Sequence, residues 1–354
     1  MDDNALRRLP ASAPERVQHV AHVYSAYNIL LRLEGAILGE LESAQSKQAN
    51  KTAKQNLMYC RIVGHFFHHV PTDGGLEDLV REVSSTGGND VQLLAIGQLY
   101  FEHFLRFVRS TKSRTPAQSC HQSRPSFSSL ADMIEDAAQS HQTAKDRALV
   151  RDGFRCIISG KYDLRSAVDN VELQQIPNAD FALTHCAHIL VEAGVTVEGS
   201  AKANSAASPW SVLSRFGYEK LPEELDGAKN HRLENVVTLE VTVHSCFESN
   251  RLWLVPTNVP NQYRVEGRFP FLLRRYPSVV TFTTADEEKL PLPSRDYLAI
   301  HAACAKVAHL SGASEYIDTV LRETEETNAL AEDGSSANAL EHAILAAQCG
   351  AKGY

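Results

Sequence analysis

"ENVVTLEVTVHSCFES", residues 234–249, is the stretch on which the fold turns, because a short strand here runs straight into the start of a helix. Asn235 opens the strand, and after eight intervening residues His244 falls on the first turn of the helix. Both polar side chains therefore sit at element boundaries, where groups from different elements can converge on a ligand. Around this stretch the chain has strand texture: "DFALTHCAHIL" (180–190), "LWLVP" (252–256), "QYRVE" (262–266) and "VVTFTT" (279–284), preceded by a short helix near residues 130–150. Strands and helices in this succession predict an α+β module over residues 130–290.

The flanks differ. From Ala13 to Glu42 the apolar residues Val17, Val20, Tyr24, Tyr27, Leu31 and Leu38 recur at steps of three, four or seven, which predicts an amphipathic helix. A similar run covers Asn56 to Val70, "PTDGG" punctuates the chain, and further helical patterns follow near 76–83 and 90–108. Residues 1–109 thus read as an all-helical region. Residues 110–129, "STKSRTPAQSCHQSRPSFSS", are rich in Ser, Pro and basic residues without periodicity and read as a linker. After "LPLPS" the chain is helical again over 291–354, with Ser294 as the N-cap of its first helix and a last helix near 337–348.

The 354 residues, 43% hydrophobic and 22% charged, fall in the globular range and allow two or three domains. No apolar run approaches the roughly 18 residues needed to cross a bilayer, and the polar start has no secretory h-region, so an intracellular, soluble protein without a membrane partner is expected. The 7 cysteines are odd in number, scattered, and never spaced C-x-x-C, so reduced thiols are expected rather than a disulfide framework or a structural zinc. A net charge of −8 opposes nucleic-acid binding at first sight. The acid excess, however, lies in residues 276–354, leaving the middle near neutral with local basic clusters. Arg147, Arg151, Arg155, Lys161 and Arg165, and again Arg264, Arg268, Arg274 and Arg275, are placed either to track a phosphate backbone or simply to face solvent.

Chemistry is expected from His188 near the end of one strand, Asn235 at the start of another, and His244 on the following helix. Imidazole and amide oxygen are both competent ligands for a divalent ion. His185 and His188 look like a pair, but an offset of three on a strand points them to opposite faces, so only one is expected to serve the site. His65 and His69 share a helical face but lack the H-E-x-x-H glutamate and read as structural.

The blocks "ALVRDGFRCIISGKYD" (148–163), "HCAHIL" (185–190), "NHRLENVVTLEVTVHSCFESNRLWLVP" (230–256) and "YLAIHAACAKVAHLSGASEYID" (297–318) resemble the HNH-endonuclease-domain proteins abundant in mushroom-forming fungi. The resemblance rests on several blocks in order: R-D-G-x-R-C-x-x-[ST]-G, then A-H-I, then N-x8-H-x-x-F. It implies a central ββα-metal (HNH) module with extra strands, flanked by helical regions. It also implies a metal-dependent endonuclease that hydrolyses phosphodiester bonds of nucleic acid, DNA ahead of RNA, through Mg²⁺ or Mn²⁺. In that scheme His188 is the general base, Asn235 a metal ligand or orienting group, and His244 a metal ligand.

The chain departs from the family pattern in four places. Ala187 stands where many members have an acidic or histidine ligand, the proline expected after A-H-I is missing, Glu248 replaces an aspartate, and His231 replaces an asparagine. With Ala187 the ion would rest on Asn235, His244 and Glu248, the last two sharing a helical face. The competing expectation is an HNH fold diverged from cutting, either toward small-molecule chemistry in a pocket lined by His188 and Cys186 or toward a binding role. The tail helices are expected to cover the nuclease-like core or a second subunit, which leaves a homo-oligomer open.

Overall fold

The computed structural model describes residues 8–14, 20–102, 141–190, 212–214, 216–225 and 227–326. The linker expected at 110–129 and the helix expected near 337–348 lie outside them. The chain is α+β. Helices α1 (Val23–Ser43), α2 (Lys47–His69), α3 (Asp73–Ser85), α4 (Asp90–Tyr100) and α5 (His141–Arg151) come first. Strand β1 (Tyr162–Asp163), the short helices α6 (Leu164–Asp169) and α7 (Val171–Gln174), and strands β2 (Phe181–Ala182) and β3 (Thr184–His188) follow. Next are β4 (Val236–Glu240), helix α8 (Val241–Glu248), β5 (Leu252–Pro256), β6 (Gln262–Gly267), a single turn α9 (Pro270–Leu273) and β7 (Val279–Thr281). Helices α10 (Arg295–Ser311) and α11 (Ala313–Glu326) close the order. The chain divides into two compact units, one comprising residues 1–107, 193–221 and 306–354, the other 108–192 and 222–305.

In the first unit, Ser46, Thr72 and Asn89 each accept a backbone N–H at the start of α2, α3 and α4, satisfying donors that a helix N-terminus leaves open. The helix expected from Ala13 begins at Val23 instead. Residues 8–14 are irregular, and His22, with φ of 64°, adopts the left-handed conformation just before α1. Tyr27, Leu30, Ile62, Phe66, Leu76 and Tyr100 are buried. Inside this packing Glu34 meets Arg61 at 2.6 Å and also accepts the backbone N–H of Leu9.

The second unit contains two local sheets beside the short β1–β2 pair. Strands β3 and β4 run antiparallel, with Thr184 opposite Glu240 and His188 opposite Val236. All five residues of β4 are buried, the polar Thr238 and Glu240 included. One cover is α5, whose Ala144 and Ala148 pack with Cys186, Leu233, Val236 and Leu290. Helix α8 starts on the residue after β4 with no intervening loop, so its register is set by the strand. Strands β5, β6 and β7 form an antiparallel sheet whose Trp253 packs on Ala302 and Ala305 of α10. Ser294 caps that helix, its Oγ accepting Tyr297 N–H at 3.4 Å. The single strand expected over 180–190 is broken at Leu183: β2 pairs parallel with β1, whereas β3 pairs with β4.

Candidate functional site

A buried ion pair closes the end of α5. Arg151 Nε donates to Asp152 Oδ1 at 2.7 Å, and its Nη2 donates to Asp152 Oδ2 at 3.0 Å. The remaining guanidinium hydrogens reach the carbonyls of Leu233 (2.6 Å), Val236 (2.8 Å) and Pro291 (3.2 Å). Asp152 Oδ2 in turn accepts the β4 N–H of Thr238. The pair thus fastens α5 to β4, and Arg151, fully buried, is not a phosphate contact. Arg147 is also withdrawn, buried and donating to the carbonyl of Lys289. Of the expected basic run, Arg155 and Arg165 face solvent, as do Arg264, Arg274 and Arg275. Lys161 sits between Glu240 and Asp180, whose charges raise its pKa.

Asn235 is completely buried at the head of β4. Its Oδ1 accepts Leu190 N–H at 3.0 Å, while its Nδ2 faces the carbonyl of Leu190 at 2.8 Å and the carbonyl and Oδ1 of Asn230 at 3.0 and 2.9 Å. Its own carbonyl accepts Ile189 N–H at 2.8 Å. The residues just after His188 are therefore tied to the segment just before β4.

The strand's two-residue period sends His185 and His188 to different partners. His188, partly exposed, has its Nε2 3.1 Å from Nδ1 of His231, in the 3₁₀ turn Gly227–His231. His185 has its Nδ1 3.1 Å from Nδ1 of His244 on α8, the rings crossing at 83°. On the other edge of the His244 ring, Nε2 lies 3.1 Å from Glu248 Oε1, within ion-pair reach but misaligned for a hydrogen bond. Burial, then the neighbouring His244, Lys145 and Arg165, hold the pKa of His185 below the ordinary imidazole value against the pull of Glu248.

The ligand set expected from the sequence, Asn235 with His244 and Glu248, does not come together around one point: the amide of Asn235 is spent on Leu190 and Asn230, and Glu248 faces the His244 nitrogen that points away from His185. Among the described residues no group of three or more His, Cys, Asp or Glu side chains is disposed to hold a metal ion. Two imidazole nitrogens, on His185 and His244, do face each other. His185 and His231 are the residues that sequence reasoning passed over. Their signal was present: His185 stands two residues before Ala187 and hence on the same strand face, and His231 lies four residues before Asn235.

Cys186, Cys246 and Cys304 are poor nucleophiles. Burial pushes Cys186 up to about 12, raises Cys304 well above the ordinary thiol value, and raises the half-buried Cys246. Cys156 is buried in a tight turn where its Sγ accepts Ser159 N–H and Gly160 takes φ of 75°. A cleft of about 210 Å³ borders this turn, lined by Arg155, Cys156, Ser159, Thr281 and Thr283 among others, with no part taken by His188 or Cys186. Among the described residues no helix is long and apolar enough to cross a membrane. Compared with protein-family models, curated proteins and solved structures, the chain matches none.

Proposed function

We propose that the chain is a metal-assisted phosphodiesterase of the HNH, ββα-metal kind, cutting nucleic acid with His188 as general base. The observation that carries this reading is the bonding of Asn235 to Leu190, which fixes the turn that presents His188. An antiparallel pair leading directly into a helix, with a histidine at the strand end and another on the helix, supports the same reading.

In this scheme His188 takes the proton of the attacking water, work suited to a group titrating near neutrality. Its Nε2 contact with His231 holds the ring orientation. Asn235 acts as the orienting group rather than as a ligand. A bound divalent ion, held from the α8 side through His244, would offset charge on the phosphate and the leaving oxygen. The exposed Arg155 and Arg165 supply positive charge for the backbone of the substrate, DNA ahead of RNA.

Nicking of supercoiled plasmid in the presence of Mg²⁺, Mn²⁺ or Zn²⁺, with an RNA substrate in parallel, tests this. His188→Ala should reduce cutting by about 10²-fold or more with the melting temperature unchanged. Wild-type protein that cuts neither substrate with any of these ions would defeat the reading. That result would favour the second reading, an HNH scaffold diverged from cutting toward a binding or small-molecule role. Alanine at 187 supports that alternative.

A further inference from the structure

We infer that His185 Nδ1 and His244 Nδ1 form a two-nitrogen site for a transition-metal ion of the Zn²⁺, Co²⁺ or Ni²⁺ class, with Glu248 as the carboxylate that orients His244. The inference concerns binding alone and stands whether or not the chain cuts nucleic acid. It gives the strand ligand missing at Ala187 a replacement two residues earlier on the same face.

The geometry comes first. Two nitrogens bound to one ion at roughly 2.0 to 2.1 Å, and subtending about 95 to 110°, lie on the order of 3.0 to 3.4 Å apart. The observed separation is 3.1 Å. The rings cross nearly perpendicular with centroids 5.1 Å apart, so their in-plane lone pairs can meet at a point without the rings colliding. Both ligands are on rigid elements: His185 lies inside β3 opposite Leu239, and His244 follows β4 on a helix that begins without a loop.

Glu248 biases the tautomer through its charge. Its Oε1 lies 3.1 Å from His244 Nε2, a buried nitrogen with no hydrogen-bond partner, and a carboxylate favours a proton at that nitrogen. With the hydrogen on Nε2, the lone pair of His244 Nδ1 points at His185. Without metal, His185 Nδ1–H donates to that lone pair. When an ion enters, this one proton moves to His185 Nε2 and both Nδ1 lone pairs become ligands, so no proton is unaccounted for. His244 is buried whereas His185 and Glu248 are partly exposed, leaving a path for the ion and its waters.

Ligand chemistry sets the metal class. Imidazole nitrogens suit zinc, copper, nickel and iron, whereas Mg²⁺ demands oxygen ligands and keeps its waters. A pair of nitrogens therefore selects against Mg²⁺.

Isothermal titration calorimetry of the metal-stripped full chain with Zn²⁺ and with Mg²⁺, and the visible spectrum of the chain loaded with Co²⁺, test the site. We expect one Zn²⁺ bound per chain, no Mg²⁺ binding at the same concentrations, and a cobalt spectrum free of thiolate charge-transfer bands. His185→Gln and His244→Gln should each weaken Zn²⁺ at least about 10²-fold, Glu248→Gln about tenfold, and His188→Ala not at all. Circular dichroism checks that each variant is folded, and His185→Asn replaces any glutamine variant that is not. The site is refuted if Zn²⁺ does not bind, if folded His185 variants bind it as the wild type does, or if thiolate bands appear. Loss of plasmid nicking with Zn²⁺ binding intact would remove the proposed cutting activity and leave this site standing.

Discussion

Asn235 holds Leu190 by both ends of its side chain, accepting the Leu190 N–H at 3.0 Å and donating to the Leu190 carbonyl at 2.8 Å. Asn235→Ala strands the backbone groups of Leu190 and the amide of Asn230 at a buried position, and each unmet polar group costs about 1 to 3 kcal/mol. We expect a loss of about 3 kcal/mol or more in urea denaturation; a midpoint equal to wild type would mean that the bonds are not what holds this turn.

The Arg151–Asp152 pair should behave as a unit. Removing one partner of a buried ion pair typically costs about 3 to 5 kcal/mol because the other charge is left uncompensated. Asp152→Ala is expected to lose stability on that scale, and Arg151→Met with Asp152→Ala less than the sum of the two single changes. Additive losses in denaturant melts would contradict the coupling.

His301 makes stability depend on pH. It is buried and stacked on Phe247 at 3.9 Å, and burial lowers its pKa to about 4 against a bond to the Phe247 backbone. The unfolded chain, with an ordinary imidazole near 6.5, takes up this proton first as pH falls. Its contribution is complete above about pH 6.5 and is lost progressively toward pH 4, by up to about 3 kcal/mol at 1.36 kcal/mol per unit. His301→Phe keeps a ring to stack and should flatten the slope between these limits. An unchanged slope would exclude His301 as its source.

Gly97 lets α4 come close to α2. A Cβ there would lie 2.3 Å from the carbonyl oxygen of Tyr59, which is backbone and cannot swing aside. Gly97→Ala should therefore destabilise despite the better helix propensity of alanine, by about 1 to 3 kcal/mol. A thermal melt at or above wild type would show that the helices part without cost.

The strands of the middle region, the start of α10 and the helical texture of the first hundred residues could be read from periodicity and capping residues. These are local properties, fixed by neighbours within a turn or a strand pair. Where local signals conflict, the reading slipped: the apolar pattern continues N-terminal to Val23, but the irregular stretch at 8–14 and the left-handed His22 show that the helix does not reach back to Ala13.

The sequence by itself determined that the chain is α+β, that a strand runs into a helix after Asn235, and that His185 and His188 part company along their strand. Only the tertiary structure decided who meets whom. His188 finds His231 across 43 positions, His185 finds His244 across 59, and Arg151 finds the carbonyl of Val236 across 85. Periodicity assigns a side chain to a face but says nothing of what that face packs against. An arginine that could have met phosphate and one that bolts a helix to a strand therefore look alike until the chain closes on itself.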